Sequence, residues 1–195
     1  MREYDQIFDW YVAERNPEVG VTDVEEFICP LAPGARILEL GCGSGIPITR
    51  LLVRSGFAVF GVDSSTRMIA AFRANFPGLS AQCATIQNSD FFCTDFAAVI
   101  AWGVLFHLTP DEQGAALAKI ARHLQPHGRL LFTAGDKQGT RDGKMNEVDF
   151  RYYSLDSEEY ERVLSENGMR LLDRHNDRWE NVYYIAEKLG TAESR

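Results

Sequence analysis

Glycines at positions 41, 43 and 45 punctuate the run Ile37-Leu-Glu-Leu-Gly-Cys-Gly-Ser-Gly45, where a short apolar stretch gives way to an amphipathic one. Residues 35–40 have the length and character of a buried strand. Residues 47–55 place Ile48, Leu51 and Leu52 on one helical face, with Pro47 tolerated in the first turn. A strand that enters a helix through spaced glycines turns sharply and leaves its backbone bare, so that a ligand can lie against it. In sheets built this way, ligands gather at the carboxyl ends of the strands.

The same alternation runs along the chain. Residues 57–62 and 96–102 read as apolar strands, 80–84 as a weaker one, and 129–133 as a fifth after the turn Pro126-His-Gly128. Ser64 or Ser65 caps a helix carrying Met68, Ile69 and Phe72 that stops before Pro77. Thr109, Pro110 and Glu112 begin another, whose core stripe is Leu117, Ile120, Ala121 and Leu124. Near the start, residues 3–15 read as a helix with Tyr4, Phe8, Tyr11 and Arg15 on one face. Thr22 and Glu25 form a capping box ahead of Phe27 and Ile28. Toward the end, Asp156 caps a helix with Glu159 at its third position and a Leu155–Tyr160 staple, stopping at Gly168. Two further runs, 169–174 and 182–187, flank a polar loop and predict an antiparallel pair at the sheet edge. Alternating strands and helices imply a parallel sheet with right-handed crossovers, covered on both faces.

The glycine spacing discriminates among nucleotide sites. A dinucleotide turn, G-x-G-x-x-G, needs glycine at 46, where Ile46 stands, and no Gly-Lys follows to make a phosphate-cradling loop. The spacing G-x-G-x-G, with Glu39 two positions before its first glycine, resembles motif I of class I S-adenosylmethionine-dependent methyltransferases. Residues 61–65 with Met68 resemble that family's ribose and adenine segment. The stretch from Phe96 to Leu108 resembles its fourth strand and exit, and Leu124-Gln-Pro-His-Gly-Arg resembles the turn before its fifth. The resemblance covers roughly residues 4–187. It implies an α/β, three-layer doubly wound, Rossmann-like fold with a mostly parallel seven-stranded sheet and an antiparallel C-terminal strand. A single domain of residues 1–195 would divide into an N-terminal helical lid (1–30), a cofactor-binding core (35–135) and a C-terminal helix with its strand pair (150–190).

For the site, the resemblance implies S-adenosylmethionine as cofactor, with S-adenosylhomocysteine as product. It would lie on Gly41, Cys42, Gly43 and Gly45, with Asp63 accepting the ribose hydroxyls and Ser64 and Met68 beside it. An NAD-dependent dehydrogenase would use Asp63 in the same way. An acidic residue is common in the family at the end of the third strand, where Cys83 stands instead. Adenine contact would then pass to the backbone of Ala84 and Thr85, or to Asp90. Glu39 either faces the cofactor's ammonium or is a carboxylate satisfied by backbone amides alone. Tyr4, Tyr11 and Arg15 either form a lid whose guanidinium meets the cofactor carboxylate or are core. Ala101 and Trp102 sit at the fourth strand's exit, with Trp102 lining a pocket or filling core. His107, on the same exit, is the candidate general base, or a structural histidine. His175, Asp177 and Trp179 fall in the loop between the last strands, which either bears on substrate specificity, as the resemblance implies for that place, or is solvated surface.

Net charge is −8, the opposite of a surface that grips phosphates. In a short, acidic chain a small-molecule methyl acceptor is expected, with no nucleic acid. No membrane and no metal are expected either: the longest apolar stretch, Phe96 to Leu108, is too short to span a bilayer, and no metal-ligand spacing is visible. Nucleic-acid or protein methylation, or cofactor binding without catalysis, are the alternatives. Cys29, Cys42, Cys83 and Cys93 show no metal-ligand spacing and read as reduced thiols of a cytoplasmic monomer or homodimer.

Overall fold

Residues 37–40, 96–101 and 130–133 are almost wholly buried on both faces of one sheet, which is why they read as near-continuous hydrophobic stretches, whereas 80–83 is partly and 169–176 largely exposed. A computed structural model describes residues 2–190; positions 1 and 191–195 of the expected domain lie outside the described residues. In chain order the elements are α1 (Arg2–Gln6), α2 (Phe8–Glu14), α3 (Val21–Ile28), β1 (Arg36–Leu40), α4 (Ile48–Arg54), β2 (Ala58–Asp63), α5 (Thr66–Asn75), β3 (Ser80–Cys83) and β4 (Phe96–Ala101). They continue with α6 (Pro110–His123), β5 (Leu124–Thr133), β6 (Gly139–Met145), β7 (Val148–Ser154), α7 (Ser157–Glu166), β8 (Met169–Asn176) and β9 (Val182–Lys188). Short 3-10 turns occupy Phe91–Cys93 and Leu105–His107.

The seven-stranded sheet has the order β3-β2-β1-β4-β5-β9-β8, with β9 antiparallel to both its neighbours and every other pairing parallel. Alternate residues of a strand feed opposite layers. Leu38, Val99, Phe132 and Tyr184 pack toward α6 and α7, with Leu117, Ile120, Tyr160 and Leu164. Ile37, Val59, Ile100 and Leu131 pack toward α3 and α4, with Phe27 and Leu52. Strand order reverses between β1 and β4, and that switch point opens a crevice at their carboxyl ends.

Several boundaries differ from the sequence reading. The N-terminal helix is broken at Ile7, and Phe8 leaves the Tyr4–Tyr11–Arg15 face to lie under the Arg67 guanidinium, 4.4 Å from its ring centre. The expected cap at Thr22 is replaced by Gly20, in the left-handed region at φ 78° with no side-chain cap. A Cβ at position 20 would stand 2.6 Å from the Trp102 indole, so close packing on Trp102 selects glycine here. Ser65, rather than Ser64, caps α5 by accepting from the Met68 amide. The Pro126–Gly128 segment is no free turn: β5 starts at Leu124, and the pairing with β4 slips between Phe96 and Ala98 to accommodate it.

The largest difference is the β6–β7 hairpin, for which the sequence predicts nothing. Its two-residue turn, Asn146-Glu147, has both residues at positive φ, 44° and 65°. Glutamate at the second position hides that turn, and β6 (Gly-Thr-Arg-Asp-Gly-Lys-Met) has no apolar alternation. The one available signal was the period-two pattern Val148-Asp-Phe-Arg-Tyr152 on β7.

Candidate functional site

A cavity of about 700 Å³ opens at the switch point, walled by the ends of β1, β2 and β4, the segment after β3, and α1–α2. The glycine turn forms its floor. Gly41, Cys42 and Gly43 line it, while Gly45 does not: a Cβ there would run into the Phe76 ring. At Gly43 the same added atom would meet only the Met68 sulfur, at 3.8 Å, so the space above that residue belongs to the cavity. The last two glycines of the turn thus do different work. Gly43 leaves room for a ligand, and Gly45 lets α5 pack close.

Asp63 ties this floor together. Its Oδ2 accepts from the Gly43 amide at 2.9 Å and its Oδ1 from the Ser65 amide at 2.8 Å. Burial raises its pKa, opposed by those two hydrogen bonds. Ser64 and Met68 follow on the same wall, and Ala84 and Thr85 face them from the end of β3. Cys83 is exposed and pairs in register with Asp63 without reaching the cavity. Ala101 is buried in the core beside Phe132 and does not reach it either. Asp90 is taken up locally: it accepts from Gln82 and from the Phe92 amide.

Glu39 is 4% exposed and accepts from the buried Thr49 hydroxyl. Sequence reasoning missed Thr49, whose place on the first turn of α4, ten residues on, was the available signal. Desolvation pushes the Glu39 carboxyl up to about 8, against the pull of Thr49 and of the Arg15 charge. Arg15 donates to the Tyr11 hydroxyl, yet its Nε is the one buried side-chain nitrogen or oxygen without a hydrogen-bond partner among the described residues. Burial lowers its pKa, while nearby Tyr4 and Glu39 counter that shift.

The N-terminal helices reach this position through α5. Asp5 accepts from the Ser65 hydroxyl at 2.5 Å and the Arg67 amide at 3.1 Å, and Arg67 meets Asp9 at 2.8 Å. Tyr4 then joins the lid to the exit of β4, its hydroxyl 3.1 Å from His107 Nε2. His107 is packed among the rings of Tyr4, Phe106, Phe150 and Tyr152, and burial lowers its pKa to about 4. The imidazole is therefore neutral at physiological pH. Trp102, Val104 and Glu112 complete this end of the cavity. His175, Asp177 and Trp179 lie away from it. His175 is no loop residue but stands near the end of β8, paired with Tyr183. Asp177 is buried rather than solvated and closes the loop on itself, accepting from the Trp179 and Asn181 amides, each at 2.8 Å.

A doubly wound sheet with a glycine turn after β1, a carboxylate ending β2 and a roomy crevice at the switch point defines a nucleoside-binding α/β domain. Comparison with known proteins narrows the class. Residues 37–128 match the family model described as a methyltransferase domain. An uncharacterized methyltransferase of Oceanobacillus iheyensis is 28% identical over 115 residues, covering 58% of this chain and 53% of the relative. The ubiquinone biosynthesis O-methyltransferase of a Bradyrhizobium species is 35% identical over 105 residues, covering 50% of this chain and 39% of the relative. The chain thus spans about half or less of the length of these two relatives. The carboxy-S-adenosyl-L-methionine synthase of Vibrio atlanticus is 27% identical over 217 residues, covering 95% of this chain and 88% of the relative. Among solved structures, the CcbJ methyltransferase of Streptomyces caelestis superposes with a TM-score of 0.78 at 17% identity, covering 96% of this chain and 98% of that one. Residues 37–128 thus match a methyltransferase domain, and the fold is shared with solved S-adenosylmethionine-dependent methyltransferases.

No metal-binding cluster of His, Cys, Asp or Glu occurs among the described residues, and no helix among them is long and apolar enough to cross a membrane.

Proposed function

We propose that the protein transfers a methyl group from S-adenosylmethionine to a small-molecule acceptor. The observation that carries this reading is the buried, unpartnered Nε of Arg15 on the same cavity as the buried Glu39 carboxyl. A guanidinium with a spare donor beside a carboxyl complements the carboxylate and ammonium of an amino-acid moiety. Asp63 adds a carboxylate at the nucleoside end, where each oxygen still has lone pairs after accepting one amide. Together the three side chains match a zwitterionic nucleoside. Ile46, where a dinucleotide turn has its third glycine, lines the cavity and points the same way.

The bound cofactor would supply an activated methyl on a sulfonium leaving group. The chain's own part is to bind, orient and exclude water. Arg15, Glu39 and Asp63 anchor the two ends. Tyr4 and Tyr11, carried by α1 and α2, act as the lid, and the Tyr4–His107 hydrogen bond draws it down beside Trp102 and Val104. His107, neutral above about pH 4, keeps one ring lone pair but is a weak base at that pKa, with its Nε2 turned to the Tyr4 hydroxyl, so it suits a base role only for an acceptor that gives up its proton readily. A small acceptor fits the cavity and the net charge of −8, and one relative is an O-methyltransferase of ubiquinone biosynthesis. A cytoplasmic setting suits four unpaired cysteines, three of them exposed.

Calorimetric titration with S-adenosylmethionine, S-adenosylhomocysteine and NAD, on wild type and Asp63→Ala, tests the reading. Saturable binding of the first two, weakened in the variant, is expected. Binding of NAD alone would overturn it.

A further inference from the structure

The chain lacks an acidic residue at the end of β3, so the wall formed by Ala84, Thr85, Ile86 and Gln87 must be shaped by something other than a side-chain contact from that position. An unusual set of bonds holds it. Lys119, on the outer part of α6, donates to the Ile86 carbonyl at 2.8 Å, to the Gln87 carbonyl at 3.0 Å and to the Ser89 carbonyl. An ammonium has three protons to donate, and all three go to backbone oxygens of one short segment. The Lys119 nitrogen also lies 4.6 Å above the centre of the Phe91 ring, and it makes no ion pair among the described residues.

The segment is braced from its other side as well. The Ser89 hydroxyl donates to Gln82 at 2.5 Å and accepts from the Phe91 amide at 3.0 Å. The Asn88 and Ser89 amides both fold back onto the Thr85 carbonyl, at 3.1 and 2.9 Å. These bonds are local and neutral. The Ala84 amide also donates to the Asp63 carbonyl of β2, and Phe91 meets the His123 ring of α6, but Lys119 ties the segment to α6 through charge-assisted bonds, which are the stronger kind. Lys119 itself does not line the cavity.

We infer that Lys119 is a positioning residue: its grip on three carbonyls of one segment sets the backbone wall of residues 84–87 against which the nucleobase of the cofactor lies. The inference rests on the methyltransferase reading for the identity of that base. The wall is read through backbone atoms, so its register must be held by a group that does not itself touch the ligand. A lysine donating to carbonyls meets that need where an acidic side chain pointing at the base does not stand.

The test uses Lys119→Met and Lys119→Arg in the full chain. Amide hydrogen exchange by mass spectrometry, without ligand, should show faster exchange in the segment 84–91 for Lys119→Met and near-wild-type exchange for Lys119→Arg. Calorimetry with S-adenosylhomocysteine and its hypoxanthine analogue should show the former weakened about tenfold in Lys119→Met, the order expected for losing one charge-assisted bond. The preference for adenine over hypoxanthine should narrow in the same variant, a change that a general loss of stability would not produce, and Lys119→Arg should restore it. Should Lys119→Met not fold, Lys119→Gln, with two donors, replaces it in the same comparison. Wild-type exchange together with wild-type affinity in the neutral variant would overturn the inference, as would equal weakening of both analogues. If wild type binds no S-adenosylhomocysteine, the methyltransferase reading falls, and the exchange data alone decide the role of Lys119.

Discussion

Replacing Glu39 by glutamine should stabilise the ligand-free protein, and more so as pH rises. The carboxyl is 4% exposed and accepts from one hydroxyl, that of Thr49, so its charged form has lost most of its hydration. Its pKa stands at about 8 in the folded protein against an ordinary value of 4.5. Below pH 4.5 both folded and unfolded chains hold the proton, and Glu39 costs nothing. Between 4.5 and 8 the unfolded chain releases a proton that the folded one keeps, so stability falls as pH rises; above 8 the loss levels off. Its size follows from the two values: about 3 kcal/mol at pH 7 and about 5 kcal/mol at pH 9. A side-chain amide in its place would carry no charge and still accept from Thr49. At about 2–4 °C per kcal/mol for a chain of this size, Glu39→Gln should melt about 6–12 °C higher at pH 7 and little differently at pH 4. Thermal melts at pH 4, 7 and 9 give the comparison. A gap that fails to widen with pH, or a variant less stable throughout, would refute the argument that the buried charge is the cost. The same reasoning requires proton release when a cationic ammonium binds wild type, seen as a buffer-dependent heat, and none in the variant.

Other substitutions read other parts of the structure. Tyr160→Phe removes a hydroxyl that donates to Gln113 at 2.5 Å and accepts from the Leu155 amide at 3.2 Å; stranding those buried partners should cost about 2–3 kcal/mol in urea unfolding, with the m-value unchanged. Gly45→Ala combines positive φ with a clash against Phe76 and should destabilise by about 2–4 kcal/mol, whereas Gly43→Ala, facing the cavity, should cost less stability and more affinity for S-adenosylhomocysteine. The His107 imidazole should titrate by NMR with a midpoint near 4, and because its folded pKa lies below the ordinary 6.5, it should reduce stability as pH falls from 6.5 toward 4; His107→Gln should flatten that part of the profile, and a midpoint near 6.5 would show that the ring is not desolvated.

What the sequence determined by itself was the identity and order of most strands and helices and the residues that stand at their junctions. The run into Gly41–Gly45, the acid at 63 and the cap of Thr109, Pro110 and Glu112 are local signals, because glycine freedom, strand burial and helix capping depend on neighbours a few residues away. They were enough to place β1, β2, β4 and α6 and to mark Glu39 and Asp63. The β6–β7 hairpin escaped because its turn has no glycine and its first strand no apolar alternation; it is held instead by the packing of Phe150 and Tyr152 around His107 and Tyr4, residues more than forty positions away. Gly20 as a cap, the split of the first helix at Ile7, the separation of Gly45 from the cavity and the grip of Lys119 on residues 86–89 were decided in the same way. Each is a contact between segments distant along the chain, settled only when side chains of definite size compete for the same space. That competition has no one-dimensional signature.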